Sequence, residues 1–317
     1  IKKSDKLPEN FHILGCGRKE LTSNVFDKLS KDLINKSKYF KLDPNEEKDY
    51  NLLNHNIDQF KSKYSNVNVI YYLSTPPDAY KPIVNSLIKN KLNLENSGYR
   101  RIIIEKPFGK DLKTSKKLNK ILVNGFEEKQ IFRIDHYLGK ETVQNILVSR
   151  FTNLIFNALW SKDFISYIEI TAAESIGIKG RGEYYDTTGA IKDMFQNHLL
   201  ELLCLVAMDE PKDSSSESIR NEKINVLNKI RKINFKEDII RGQYTSSNTK
   251  TKKFKNYIDN KGVNKSSKTE TFFACKLFID NERWKDIPFF IRTGKRMPTK
   301  VTEIVVNFKK NKNVFSK

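Results

Sequence analysis

The sequence has 317 residues, a length typical of two domains, and its 38% hydrophobic and 11% aromatic residues are too many for a disordered chain. No apolar run reaches the roughly 20 residues of a membrane-spanning helix, and three widely separated cysteines exclude a disulfide framework and a CxxC metal site. We therefore expect a cytoplasmic protein without a metal site or a membrane partner, and not a secreted scaffold.

The chain is strongly basic. Lys and Arg number 58 against 38 Asp and Glu, which gives a formal net charge of +20 and favours phosphorylated metabolites or nucleic acid as partners. Lysines are densest at residues 245–270, where Ser, Thr and Asn fill the gaps. Aromatic residues do not alternate with the basic ones, as a base-stacking surface requires. The pattern favours a solvated loop, and we expect no nucleic-acid partner.

Residues 1–135 alternate short strand-like runs with amphipathic helical patterns. The runs at residues 11–15, 67–73 and 101–105 are rich in apolar and β-branched side chains and end in turn-forming segments. Between them, apolar residues recur at helical spacing, as at 83–88. This alternation predicts a Rossmann-like domain with a doubly wound parallel sheet that is covered on both faces.

Residues 136–317 show a different pattern. Helical periodicity covers 139–151 and, more strongly, 191–206. The remaining regular runs are strand-like and several follow one another through short links, at 165–172, 271–279, 288–292 and 302–308. This order predicts an α+β domain with a large antiparallel sheet.

The first strand ends in Gly15-Cys16-Gly17-Arg18. A dinucleotide fingerprint would need a third glycine where Glu20 stands, so the loop by itself is a weak phosphate-binding signal. An arginine after the second strand of such a fold suits the 2′-phosphate of NADP, whereas an acidic residue would suit NAD. A surface arginine in a turn is the alternative, and it would be preferred if Arg18 stood alone.

Two further strand ends carry candidate residues, because ligands of open α/β sheets bind beyond the carboxyl ends of the strands. Thr75, Pro76 and Pro77 follow the second of the three strand-like runs, with Tyr80 close behind, although a stiff turn explains the prolines equally well. Lys106 follows the third strand. Its ammonium group can lie beside a substrate and a cofactor, or it can simply be a solvated charge at the end of a buried strand. Spacing alone favours neither alternative.

The densest group of functional side chains lies at residues 133–141. Asp135, His136, Tyr137 and Lys140 occur within six residues. If the segment is helical, His136 and Lys140 share a face and, with the Tyr137 hydroxyl, can surround a phosphate. A polar helix start capped by Asp135 is the alternative, and the density of the group favours a site.

His198 lies on an apolar helical stripe, where a histidine is usually a hydrogen-bonded core residue. As a general base it would need a carboxylate to orient its ring. Asp193, five positions earlier, is poorly placed for this on one α-helix. The partner must then come from another segment.

Several motifs resemble glucose-6-phosphate dehydrogenase. The run RIDHYLGKETVQ from Arg133 and the run EKPFGKDL from Glu105 carry the resemblance most specifically, although EKP alone also occurs in other sugar dehydrogenases. Further segments in family order span nearly the whole chain: LPENFHILGCGRKELT, YYLSTPPDAY, GRGEYYD, DMFQNHLLELLCLVAM and ETFFACKLFIDNERWKDIPFFIRTGKRM.

The resemblance implies oxidation of C1 of glucose 6-phosphate to a lactone with hydride transfer to NADP⁺, in the first step of the pentose phosphate pathway. It implies His198 as general base, Asp135 as the carboxylate that orients it, and Lys106 between sugar and nicotinamide. Residues implied at the substrate are His136, Tyr137, Lys140, Lys295 and Lys300 for the phosphate, and Glu174 and Asp193 for sugar hydroxyls. Residues implied at the cofactor are Arg18, Thr75, Pro76, Pro77, Tyr80 and Lys106, with Arg292 near a second, structural NADP⁺ site of some members.

The chain departs from the family pattern in three ways. It starts at Ile1, after the position of the family's first strand and glycine-rich loop, and it stops before the last strands, so we expect a segment of a longer protein. Lys300 stands where the family has arginine, which loses bidentate geometry. We expect weak or no turnover from this chain by itself, and a homodimer or homotetramer for the full-length protein.

Two other functions stay open at this stage. One is a different Rossmann-type sugar dehydrogenase with the EKP motif, which would lack dependence on a 6-phosphate. The other is a catalytically decayed, basic polyanion-binding protein, for which binding would depend steeply on salt.

Overall fold

The computed structural model describes residues 8–20, 30–109, 111–248 and 253–310. The chain divides into two compact units, unit 1 (Ile1–Ile134) and unit 2 (Asp135–Lys317). Among the described residues, no helix is both long and apolar enough to cross a membrane.

Unit 1 is an α/β unit in which all strand pairs are parallel. Strand β1 pairs with β2, and β3, β4 and β5 form a second sheet in that order. The strands are β1 (Ile13–Gly17), β2 (Ser37–Lys41), β3 (Val69–Leu73), β4 (Arg100–Ile104) and β5 (Ile131–Arg133). The helices are α1 (Lys31–Asn35), α2 (Glu47–Lys61), α3 (Tyr80–Lys89) and α4 (Leu112–Val123). This arrangement confirms the predicted Rossmann-like fold.

The core of unit 1 forms where helices cover the parallel strands. Ile102 and Ile104 of β4 are fully buried and share one apolar cluster with Val84 and Leu87 of α3. Each of these side chains removes apolar area from water that contributes about 1.5–3 kcal/mol when a Val, Leu or Ile is fully buried. The strands therefore show the continuous apolar character that the sequence has at these positions.

Helix α4 begins at a capping box. Asp111 accepts a hydrogen bond from the backbone N–H of Thr114 at 2.8 Å, and the Thr114 hydroxyl accepts one from the N–H of Asp111 at 3.0 Å. These two bonds satisfy amide donors that have no partner inside the helix.

Unit 2 is built on a five-stranded sheet with the order β12-β6-β11-β10-β7. Its strands are β6 (Ile165–Glu174), β7 (Ile239–Gly242), β10 (Phe272–Leu277), β11 (Phe289–Lys295) and β12 (Val301–Phe308), and a separate small hairpin joins β8 (Ser247–Asn248) to β9 (Lys253–Phe254). Strands β6 and β11 pair in parallel and the other pairs are antiparallel. The sheet is therefore mixed rather than wholly antiparallel, because β6 lies between β11 and β12 and runs parallel to β11.

Four helices of unit 2 contribute to the same apolar core as the sheet, namely α5 (Glu141–Phe151), α7 (Gly182–Ala190), α8 (Leu200–Ala207) and α9 (Ser216–Asn228). The short helix α6 (Leu154–Leu159) has no buried residue. A π-helical segment, Ile191–Leu199, joins α7 to α8. The single α-helix predicted for residues 191–206 is thus wrong over its first half, where hydrogen bonds join residues five apart instead of four.

Backbone carbonyls at the carboxyl end of α8 are satisfied by buried side chains. The indoles of Trp160 and Trp284 donate to carbonyls there at 2.8 and 2.7 Å, and the guanidinium of Arg150 donates two bonds of 2.7 Å. Carbonyls in the last turn have no partner inside the helix, so these donors offset the cost of burying them. Burial in turn lowers the pKa of Arg150 to about 9.

Candidate functional site

The segment after β5 forms consecutive turns. The sequence allowed a helix at this place, and the structure does not have one there. The N–H of Leu138 donates to the carbonyl of Asp135, and that of Lys140 donates to the carbonyl of Tyr137, both at 3.1 Å. Asp135 also accepts from the Tyr137 N–H through its side chain, at 2.8 Å. His136 and Lys140 are therefore not held on one face by helical geometry. They come close to Tyr137 through the turns.

Asp135 and His198 form a buried pair from two distant segments. The distance from His198 Nδ1 to Asp135 Oδ1 is 2.6 Å, and the histidine is 1% exposed. The sequence predicted that the carboxylate partner would come from another segment, and Asp135 occupies that place. Burial by itself raises the pKa of Asp135, but hydrogen bonds from His198 and from the Tyr137 amide leave it below its ordinary value. An ionised Asp135 favours the tautomer in which Nδ1 carries the proton and Nε2 is the acceptor atom of the ring.

Aromatic rings pack against this pair. The ring of Tyr137 stacks on that of His198 with 4.2 Å between centroids, and the ring of His136 meets it edge-on at 4.5 Å. The ammonium of Lys140 lies 3.4 Å from the centroid of the Tyr137 ring. Phosphate-binding candidates and the proposed base are thus neighbours in space.

Lys295 and Glu174 end the two parallel strands β11 and β6 and are register partners. The Lys295 ammonium makes a close ion pair with the Glu174 carboxylate, and the lysine side chain is 3% exposed. A lysine buried this deeply needs a charge partner, because an unpaired buried ion is costly. The pair places one cation and one anion at the carboxyl ends of these strands.

Asp193 lies in the π-helical segment and is 6% exposed. The Tyr184 hydroxyl donates to its carboxylate at 3.4 Å. The expectation that Asp193 and His198 are badly placed for one another assumed an α-helix. The segment is π-helical, but the carboxylate partner of His198 is Asp135, so the expectation that this partner comes from another segment is confirmed.

Three residues next to Asp193, Lys295 and Tyr137 were not predicted from the sequence. The Tyr184 hydroxyl donates to Asp193, the Tyr185 ring lies 5.1 Å from the Lys295 ammonium, and the pKa of Tyr137, which burial raises, is lowered in part by Thr302. The paired tyrosines of the GRGEYYD segment are a signal that could have found the first two. Nothing in the sequence marks Thr302, because its place depends on the pairing of β12 with β6.

Lys300 and Arg292 lie apart from the group within the described residues. Lys300 is exposed in the link between β11 and β12. Arg292 is three residues before Lys295 on β11, so its side chain leaves the opposite face of the sheet, where it donates to the Thr171 hydroxyl at 2.9 Å. A role for Arg292 would therefore belong to a different site.

In unit 1 the predicted cofactor residues follow the carboxyl ends of different strands. Arg18 is exposed after β1, and Lys106 follows β4. Thr75, Pro76 and Pro77 follow β3, and Tyr80, the first residue of α3, is buried.

An apolar groove of about 1250 Å³ lies between β1 and β3, and Arg18, Thr75 and Pro76 line it. The Thr75 hydroxyl is buried and has no hydrogen-bond partner among the described residues. A buried hydroxyl of this kind fits a site whose ligand supplies the missing bond, as a dinucleotide would.

Asp135, His136 and His198 place three potential ligand atoms within 4.8 Å of one another. The 2.6 Å contact between Asp135 and His198 is a hydrogen bond and not a metal-bridged distance. The absence of a metal remains a prediction.

Two family profiles match the chain. Residues 1–145 match "Glucose-6-phosphate dehydrogenase, NAD binding domain", and residues 147–317 match "Glucose-6-phosphate dehydrogenase, C-terminal domain".

Curated relatives carry the same description. Glucose-6-phosphate 1-dehydrogenase of Aggregatibacter actinomycetemcomitans is 43% identical, covering 98% of this chain and 66% of the relative. The enzyme of Treponema pallidum is 41% identical over 97% of this chain and 64% of its own length. The chain therefore spans slightly less than two thirds of these relatives.

Two solved structures resemble the fold closely. A glucose-6-phosphate dehydrogenase in complex with its substrate glucose-6-phosphate is 33% identical, with a TM-score of 0.88 over 95% of this chain and 65% of that chain. Glucose-6-phosphate 1-dehydrogenase from Mycobacterium avium is 35% identical, with a TM-score of 0.81 over 94% and 65%. With two profiles that together cover both units, the chain belongs to the glucose-6-phosphate dehydrogenase family.

Proposed function

We propose that the protein oxidises the C1 hydroxyl of glucose 6-phosphate to a lactone and passes the hydride to NADP⁺. The observation that carries this proposal is the buried Asp135–His198 pair, with 2.6 Å between its atoms, beside the potential phosphate donors of His136, Tyr137 and Lys140. A base next to a cationic pocket is the arrangement that oxidation of a phosphorylated sugar alcohol requires.

His198 takes the C1 hydroxyl proton through Nε2. Asp135 holds the Nδ1 proton, fixes the orientation of the ring and stabilises the imidazolium that forms. General-base catalysis of this type contributes typically about 10²–10⁴-fold. When bound, NADP⁺ supplies the hydride acceptor.

The substrate phosphate serves as a remote anchor. His136, Tyr137, Lys140 and Lys295 donate to it, and its binding energy positions C1 for reaction. Lys295 has three ammonium protons, so it can keep Glu174 as a partner and still donate to a phosphate.

Other residues complete the substrate contacts. Glu174 and Asp193 accept hydrogen bonds from sugar hydroxyls. Lys300 supplies a further cation on the phosphate side.

Residues at the strand ends of unit 1 hold the dinucleotide. Arg18 pairs with the 2′-phosphate, and Lys106 lies between the sugar and the nicotinamide. The other contacts come from Thr75, Pro76, Pro77 and Tyr80. The buried Thr75 hydroxyl supports this assignment. Arg292, on the far face of its sheet, is assigned to a second, structural NADP⁺ site.

The cellular setting follows from the same proposal. We infer a cytoplasmic enzyme that forms a homodimer or homotetramer, with no nucleic-acid or membrane partner. Sedimentation of the full-length protein measures the oligomer directly, and a monomer at micromolar concentration would contradict this part of the proposal.

Calorimetric titration with glucose 6-phosphate, glucose and inorganic phosphate at matched salt tests the function. Selective binding of glucose 6-phosphate that is weakened about tenfold in His136→Ala, the loss of roughly one charge-assisted hydrogen bond, supports the proposal. Equal, salt-sensitive binding of all anions supports the polyanion-binding alternative. A preference for an unphosphorylated sugar supports the alternative dehydrogenase.

A further inference from the structure

We propose that Glu270 is a positioning residue for this site. It holds the start of the π-helical segment so that Asp193 and His198 lie on the same side of that segment. The inference rests on the proposed function, and it deepens that proposal by naming a residue outside the group that is expected to touch the substrate.

The spacing of Asp193 and His198 makes the π-helical geometry necessary. At about 100° per residue, an α-helix would turn two side chains five positions apart by about 140°. In a π-helix, hydrogen bonds join residues five apart, and the wider turn leaves such residues much closer to one face. The two residues are 6% and 1% exposed.

Both side chains contact tyrosines of unit 2. His198 stacks against the Tyr137 ring, and Asp193 accepts from the Tyr184 hydroxyl at 3.4 Å. The pKa of Tyr137, which burial raises first, is raised further by carboxylates that include Asp193. If the segment wound as an α-helix, the two side chains would turn away from one another and could not both keep these contacts.

Glu270 accepts hydrogen bonds from two backbone amides at the start of the segment. Its backbone carbonyl accepts from Ala190 N–H and its carboxylate from Ile191 N–H, both at 3.0 Å. Amides at a helix start have no partner within the helix, and a negative charge is favourable there. Glu270 therefore fixes both the position and the direction in which the segment leaves α7.

Gly189 leaves the space that the Glu270 carboxylate occupies. Its φ of +65° lies in the left-handed region, and a Cβ at this position would lie 2.4 Å from Glu270 Oε1. The break in α7 and the carboxylate thus fit one another. Any side chain at Gly189 would displace the group that holds Ile191.

Glu270 is also fixed to the sheet that carries Lys295. The next residue, Thr271, is fully buried, donates its N–H to the Gly242 carbonyl at 2.8 Å and accepts from the Lys295 N–H at 2.9 Å. One short stretch therefore sets the position of the π-helical segment and of the end of β11. This link makes Glu270 a positioning residue for both sides of the site.

The test compares Glu270→Ala with Glu270→Gln, whose amide oxygen can still accept from Ile191 N–H. Glu282→Ala is the control, because Glu282 is an exposed partner of Lys162. Two readouts are the dissociation constant for glucose 6-phosphate and the low-field proton resonance of His198 Nδ1–H. We expect Glu270→Ala to weaken binding about tenfold, as for one lost charge-assisted hydrogen bond, and to lose the resonance. Glu270→Gln and Glu282→Ala should stay within about threefold and keep it.

A folded Glu270→Ala protein that keeps both the resonance and the affinity overturns the inference, even if its melting temperature falls, because that pattern describes a purely structural contact. Glu270→Asp, shortened by one methylene, makes the same comparison if the alanine variant does not fold, and we expect it to lose the resonance as well. If the unsubstituted protein does not select glucose 6-phosphate, the proposed function fails, while the resonance still decides the role of Glu270.

Discussion

Unit 2 brings its candidate residues into mutual contact, whereas unit 1 leaves its candidates at the ends of separate strands. In unit 2, Asp135 meets His198 and Glu174 meets Lys295. In unit 1, Arg18 is exposed and the buried Thr75 hydroxyl has no partner among the described residues. The proposed substrate side is thus organised by its own charges, and substitutions there should alter both stability and chemistry. The cofactor side is expected to show its role only in binding.

We expect the largest effect from a substitution that breaks the pair of Asp135 and His198. Asp135→Asn cannot stabilise a positive charge on His198, and its amide can hold the ring in the wrong tautomer. We expect kcat to fall by about 10²–10⁴-fold relative to the unsubstituted protein, the range of general-base catalysis. Initial rates of NADPH formation by the full-length protein at saturating glucose 6-phosphate measure the effect.

The affinity for glucose 6-phosphate serves as the control for Asp135→Asn. It should change less than about threefold, because this carboxylate is assigned to His198 and not to the sugar. An unchanged kcat would remove the assignment of His198 and Asp135 as a catalytic pair.

The second effect is on folding. Lys295→Met leaves the Glu174 carboxylate without its cation, and removing one partner of a buried ion pair costs about 3–5 kcal/mol. Glu174 is only partly buried, so we expect the lower end of this range in the free energy of unfolding of unit 2. Both tryptophans of the sequence, Trp160 and Trp284, belong to unit 2, so indole fluorescence follows its unfolding.

The exposed pair of Lys162 with Glu282 is a matched control for Lys295→Met. Lys162→Met should change the free energy of unfolding by less than about 1 kcal/mol, because water screens surface ion pairs. Equal effects of the two substitutions would show that the burial of Lys295 has no energetic consequence.

The same contrast between the units appears in what the sequence could predict. Of the five strands of unit 1, β1, β3 and β4 were found because they are apolar runs that local pattern reveals, whereas the short strands β2 and β5 were not predicted. The π-helical turn was missed because Ile191 and the residues after it have ordinary helical periodicity. Its geometry depends on Glu270, which lies 79 residues away from Ile191 in the sequence.

The candidate site residues show the same difference between what local sequence reveals and what depends on tertiary contacts. Asp135 and His198 were each visible as single residues with functional side chains, but their contact is tertiary. Residue chemistry alone left the partner of His198 unidentified, and only the resemblance to the family supplied it. Thr302 was invisible because a threonine on an edge strand has no local signature of binding.

The third effect is a pH dependence that Asp135 confers on unit 2. Its pKa is lowered in the folded protein by the hydrogen bonds from His198 and Tyr137, which outweigh the effect of burial. A carboxyl with a lowered pKa contributes stability above its unfolded value of about 3.9 and loses it as the pH falls through the folded value. Unit 2 should therefore lose this contribution below about pH 4, as measured by fluorescence-detected urea unfolding at several pH values.

Asp135→Asn is the comparison for this prediction too. The amide does not titrate, so the variant should show a shallower loss of stability in acid than the unsubstituted protein. Parallel curves for the two proteins would mean that other carboxylates account for the acid sensitivity.

We expect the smallest effect on stability from a substitution in unit 1. Asp111→Ala removes the capping box of α4, and loss of an N-cap side chain typically costs about 1 kcal/mol. Since unit 1 contains no tryptophan in the printed sequence, far-ultraviolet circular dichroism should register a lower transition while indole fluorescence stays unchanged. Asp111→Asn, which can still accept from the Thr114 N–H, should restore most of the loss. A shift of the fluorescence transition by the same amount would show that the two units unfold together and would contradict this prediction.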